Sequence, residues 1–102
     1  MFGKEVVAMT EPTEQTPAFT VVIVEKLRAK HFIVPTEETV FLPGDTLYSA
    51  RKAESSNGVP WILILGEKEY GWPFRAIDGL IELDRLRLYD VDGYELASTL
   101  GL

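Results

Sequence analysis

The chain predicts a small, mainly β domain, and three observations carry that expectation. Phe19-Thr20-Val21-Val22-Ile23-Val24 and Trp61-Ile62-Leu63-Ile64-Leu65 are short runs of β-branched and other apolar residues, too short for typical helices and suited to strands. Turn chemistry punctuates the chain at Pro43-Gly44-Asp45, Asn57-Gly58 and Asp92-Gly93, where proline fixes one backbone angle and glycine accepts a left-handed one. Arg85-Leu86-Arg87-Leu88-Tyr89 alternates charged and apolar residues, the period of a half-buried strand.

A length of 102 residues suits one domain with a small core. Hydrophobic residues make up 46% and charged residues 25%, an ordinary globular composition. No cysteine is present, which excludes disulfides, thiolate catalysis and Cys-ligated metal sites. A formal net charge of −6 opposes nucleic acid or an anionic membrane as the main partner and suits a basic protein surface or peptide. No apolar run approaches the roughly 20 residues that span a bilayer. Val6-Val7-Ala8 is shorter than the apolar core of about 7–15 residues in a signal peptide. A soluble, cytoplasmic protein is therefore expected.

Residues 1–17 read as a flexible N-terminal arm. Thr10-Glu11-Pro12-Thr13-Glu14-Gln15-Thr16-Pro17 carries two prolines and no apolar periodicity, so little burial would offset its ordering entropy. Val6, Val7 and Met9 are the residues with which such an arm would dock on a neighbour. Residues 18–102 form the domain.

In order, residues 19–24 and 29–34 are two strands or one long bent strand, the second run ending at Pro35. Acidic Glu37-Glu38 leads through Val40 and Phe41 into the Pro43-Gly44-Asp45 turn. A strand follows over residues 46–51, with either Leu47, Ser49 and Arg51 or Tyr48 and Ala50 inward. Residues 52–60 form a polar loop. The run from Trp61 is a central strand buried on both faces. Gly66-Glu67-Lys68-Glu69 turns the chain into a return strand from Tyr70. Phe74-Arg75-Ala76-Ile77-Asp78-Gly79 suits a short helical turn stopped by glycine, and Leu80-Ile81-Glu82-Leu83 a further strand. A C-terminal hairpin over residues 84–98 closes the domain, with Ser98 to the end fraying.

From the acidic stretch onward, Glu38-x-x-Phe41-x-x-Gly44-Asp45-x-Leu47, the Trp61-led strand and Gly71-Trp72-Pro73-Phe74 follow the order of motifs in an SH3 domain. This half of the chain resembles that family, over roughly residues 29–83. The resemblance implies a small SH3-like barrel and a protein-interaction role. It maps the family's first-strand signature, A-L-Y-D-Y, onto Ala29-Lys30-His31-Phe32-Ile33, where His31 and Ile33 stand in place of groove tyrosines. It maps the groove tryptophan onto Trp61, the acidic ligand-pairing loop onto Glu37 and Glu38, and a further groove tyrosine near Ile77. The replaced aromatics argue against polyproline binding of the usual eukaryotic kind.

Catalytic constellations are sparse. His31 is the single histidine, and no nucleophile-elbow sequence surrounds Ser49, Ser55, Ser56 or Ser98. Gly66-Glu67-Lys68-Glu69-Tyr70-Gly71 lacks the ending of a phosphate loop, and Asp90-Val91-Asp92-Gly93-Tyr94-Glu95 offers too few oxygen ligands for calcium. No enzyme activity, metal or cofactor is expected. Trp72 and Phe74 suit the core, and Trp61, behind Pro60, suits exposure. The candidate binding residues are Trp61, Glu37, Glu38, His31, Tyr48 and Phe74. Two functional readings stand: a module that binds a basic or basic-aromatic protein segment, or a structural subunit, for example of a virion. Such a subunit would clasp neighbouring copies through its arm and C-terminal hairpin.

Overall fold

A computed structural model describes residues 18–102; the expected arm lies outside them. The elements in order are β1 (Phe19–Ile23), β2 (Leu27–His31), β3 (Glu38–Phe41), β4 (Leu47–Glu54), β5 (Pro60–Ile64), β6 (Tyr70–Pro73), α1 (Phe74–Glu82), β7 (Leu86–Asp90) and β8 (Glu95–Leu96). The strands form one antiparallel sheet in the order β3-β2-β6-β5-β4-β1-β7-β8. The mainly β expectation and the C-terminal hairpin hold. The barrel is not closed: β3 and β8 are its two free edges. The sheet nevertheless curls, since the ring centroids of Phe41 on β3 and Tyr48 on β4 lie 5.2 Å apart although those strands are not ladder neighbours.

Side-chain alternation decides which face is core. On β1, Phe19, Val21 and Ile23 are buried while Thr20 and Val22 turn to the other face. Leu27 and Ala29 of β2, Ile62 and Ile64 of β5, Trp72 of β6 and Leu86 and Leu88 of β7 complete the cluster beneath α1. Trp72 satisfies its indole N–H by donating to the Arg28 carbonyl at 2.8 Å, which ties β6 to β2 from inside. On β4 the parity left open by the sequence resolves to Tyr48 and Ala50: Ala50 is fully buried and Leu47 is 68% exposed.

Residues 19–24 and 29–34 contribute separate strands that do not pair with each other; β1 lies between β4 and β7, and β2 between β3 and β6. The chain's first strand is thus β1, and the segment assigned to the first SH3 strand is largely β2 and the turn beyond it. β2 ends at His31, before Pro35, and β4 runs on to Glu54, which shortens the expected loop. β5 is buried on both faces as expected, Ile62 towards the core and Leu63 away from it, each fully inaccessible.

The expected strand at residues 80–83 is instead the second half of α1. Ile77, Leu80 and Ile81 fall at helical spacing and pack on the core cluster. Gly79 has open space at its absent Cβ, and the helix runs through it. The stop lies at Asp84, whose φ of 56° reverses the chain; the Asp84 and Arg85 N–H groups donate back to Ile81 and Leu80. The C-terminus does not fray from Ser98. Thr99 is 6% exposed and donates its N–H to Asp78 Oδ1 at 2.7 Å, its hydroxyl reaching the same oxygen at 3.0 Å. Leu102 packs against the core. Among the described residues no helix is long and apolar enough to cross a membrane.

Gly44, which the sequence placed in a turn, and Gly71 differ in the space around their absent Cβ atoms. Gly44 has no atom within 4 Å of a built Cβ and does not adopt a left-handed φ, so Pro43-Gly44-Asp45 is a solvent-exposed turn. At Gly71, a Cβ would lie 2.0 Å from the Ile62 carbonyl oxygen and 2.9 Å from Leu63 Cα. Gly71→Ala should therefore cost about 3 kcal/mol or more, since rigid backbone has to shift. Gly44→Val should stay within about 0.5 kcal/mol of the parent. Urea denaturation of both variants checks the pair, and equal midpoints would contradict the assignment.

Candidate functional site

The β5–β6 register places Trp61 opposite Pro73, Ile62 opposite Trp72 and Leu63 opposite Gly71. Trp61 therefore stands on the face of the sheet away from the main core, half-buried, with the Phe32 ring edge-on to it at 5.5 Å. Leu63, on the same face, is fully buried opposite Arg51, whose guanidinium is paired with the Glu69 carboxylate. The far side of the sheet thus carries a small second layer on which Trp61 rests.

The loop before Trp61 is built by its own hydrogen bonds. Ser55 N–H donates to the Val59 carbonyl at 2.9 Å, Val59 N–H donates to Ser55 Oγ at 3.1 Å, and Gly58 takes a φ of 82°. Those bonds fix the chain direction at Pro60 and hence the side on which the indole emerges.

Two hollows meet at this end of the sheet. One, of about 350 Å³, is lined by Arg28, Lys30, Pro35, Glu38, Trp61, Trp72 and Pro73. The other, of about 630 Å³, is lined by Gly58, Val59, Pro60, Phe74 and Arg75. They share Pro73 and Ala76. By the strand order, the combined groove crosses from β3 over β2 and β6 to β5 and the loop before it. Its lining is mainly apolar, and its charged residues are Arg28, Lys30, Arg75 and Glu38.

Of the residues named from the sequence, the groove brings together Trp61, Glu38 and, at its far end, Phe74. Lys52 Nζ lies 5.9 Å from the Phe74 ring centroid. Glu37 lines neither hollow, its carboxylate lying 3.8 Å from Lys68 Nζ, while Glu38 is 3.9 Å from Arg28. His31 is elsewhere: its Nδ1 accepts the N–H groups of Ile33 at 3.1 Å and Val34 at 3.0 Å, and its ring meets Tyr70 edge-on. That bonding places the imidazole proton on Nε2 and gives His31 the task of holding the turn after β2. Tyr48 faces the core side and lines a separate hollow with Phe41 and Tyr70.

Arg28, Lys30, Pro35 and Arg75 were missed. Arg28 and Lys30 alternate with buried Leu27 and Ala29, and that period-two spacing was the available signal for two cations on one face. Pro35 and Arg75 carry no sequence signal that separates them from other surface residues. Among the described residues no three His, Asp or Glu side chains gather closely enough to hold a metal ion.

No family model, curated protein or solved structure matches the chain. The groove's chemistry is therefore read from its own residues.

The two tryptophans should be separable in solution. With Trp61 replaced by Phe, the remaining emission from Trp72, 5% exposed, should resist acrylamide quenching. With Trp72 replaced by Phe, the emission from Trp61 should be quenched several-fold more strongly. Equal quenching would contradict the placement of Trp61 in an open groove.

Proposed function

We propose that the protein is a non-catalytic protein–protein interaction module that holds an extended segment of another protein in the Trp61 groove. The observation that carries this reading is the half-exposed Trp61 ring, which lines one apolar-floored hollow opposite Pro73, where the second hollow joins it. A large ring with a free edge over an apolar floor is the usual anchor of such an interface. The single histidine spends Nδ1 on two backbone donors, which favours a binding role over an acid–base one. The expectation of a basic partner rested on the formal net charge of −6 and on Glu37 and Glu38. Each of these glutamates already faces a cation of the same chain, so the remaining groove charges bear on the sign of the partner.

Selection of a random peptide library on the full chain, followed by binding measurements on Trp61→Ala, tests the proposal. Enriched peptides should lose at least about thirtyfold in affinity, the loss expected from truncating an anchor of about 2 kcal/mol. The variant should still unfold cooperatively near the parent temperature. Peptides that bind Trp61→Ala as well as the parent would reject the groove.

A second reading, a structural subunit that clasps copies of itself or neighbouring chains in a particle such as a virion, is favoured by the two free sheet edges. Val40 on β3 is 48% exposed and Tyr94, in the β7–β8 turn, 71% exposed. Sedimentation equilibrium distinguishes the two: the module should be monomeric, whereas concentration-dependent assembly would support the subunit.

A further inference from the structure

Resting on the groove reading above, we propose that the segment held there is acidic, an extended stretch of another protein whose carboxylates pair with Arg28, Lys30 and Arg75. The three cations line the two hollows, and the one carboxylate that joins them, Glu38, stands opposite Lys30 in the β2–β3 ladder and 3.9 Å from Arg28. Lys52, near the Phe74 ring, lines neither hollow and is not counted among them. Glu37 is drawn to Lys68, and Glu54, opposite Pro60 in the β4–β5 ladder, lines neither hollow. A local excess of cations thus stands in a chain whose formal net charge is −6. Against that background the groove is the surface suited to negative side chains.

The placement of the cations also suits a chain lying in the groove. Arg28 and Lys30 are two residues apart along β2, about 6.6 Å, and the groove crosses the strands, so the two cations stand side by side across its width. A carboxylate of the partner entering at the β2 end would face both. An apolar side chain beyond it would rest on Trp61 and Pro73, and a further carboxylate would reach Arg75. Arg28 already holds a loose contact to Glu38, its side chain 80% exposed. It is therefore free to turn to a partner, and its guanidinium can take a carboxylate with two parallel hydrogen bonds.

Long-range repulsion between an acidic partner and the acidic chain blurs any reading of salt dependence. Charge substitution is the sharper probe. Three synthetic peptides of one extended sequence, bearing Glu, Gln or Lys at the same positions, are titrated into the full chain. The indole N–H resonance of Trp61 reports binding. The Glu peptide should bind about tenfold tighter than the Gln peptide, with the Lys peptide weakest. Lys30→Gln with Arg75→Gln should erase the preference, and Lys30→Glu with Arg75→Glu should invert it; the milder pair serves if the reversed pair fails to fold. Equal affinities, or tightest binding by the Lys peptide, with Trp61 still responding, would overturn the acidic partner and leave the groove reading intact. A Trp61 resonance that moves with none of the peptides, together with library-selected peptides that bind Trp61→Ala unchanged, would overturn both.

Discussion

The close approach of β5 to β6 at Gly71 is the constraint on which the rest of this structure depends. No side chain larger than hydrogen fits between Gly71 and the Ile62 carbonyl, so the strands lock in one register there. That register sends Ile62 and Ile64 to the core beside Trp72 and Tyr70, and sends Leu63 and Trp61 to the opposite face. A slip of one residue would exchange the two sets, exposing the core aliphatics and burying the groove tryptophan. The Trp72 indole bond to Arg28 carries the same constraint across to β2.

The groove is a consequence of that register more than of the loops around it. Trp61 and Pro73 face each other because Leu63 and Gly71 do. β2 brings Arg28 and Lys30 to the same side because Leu27 and Ala29 are needed in the core. α1 begins directly after Pro73 and supplies Arg75 and Ala76 to the rim while Ile77 turns inward. One set of packing choices thus produces an apolar floor with cations along its length. Glu38 arrives from the edge strand β3 opposite Lys30 in the β2–β3 ladder, with the Arg28 guanidinium 3.9 Å from its carboxylate. The other free edge, β8, pairs with β7 over two residues of each strand, and its shortness limits the pairing surface offered to other chains.

Much of the fold was legible in the chain. The apolar run after Pro60 suggested a strand buried on both sides, and Asp92-Gly93 a hairpin turn, where Gly93 takes a φ of 89°. Residues 80–83 were not legible, because a short apolar run carries no period of its own; only Ile77, one helical turn earlier, reveals that Leu80 and Ile81 share a face with it. Gly79 misled for the same reason, a glycine inside a helix looking like its end. On β4 both parities offered apolar residues, and the choice fell to the neighbours Phe19 and Ile64 that flank Ala50. At the site, Trp61 was legible from its place after Pro60. The sign of the groove was not, since its cations come from two stretches far apart in sequence, and the conspicuous Glu37-Glu38 pair is answered by Lys68 and Arg28.

Cross-strand proton NOEs between β5 and β6 measure the governing register most directly. The structure requires contacts between Trp61 and Pro73, and between Leu63 and Gly71, with the Trp72 indole N–H slow to exchange because it is bonded to Arg28. Contacts that instead place Trp61 beside Trp72, with a rapidly exchanging Trp72 indole N–H, would contradict the register and remove the groove with it.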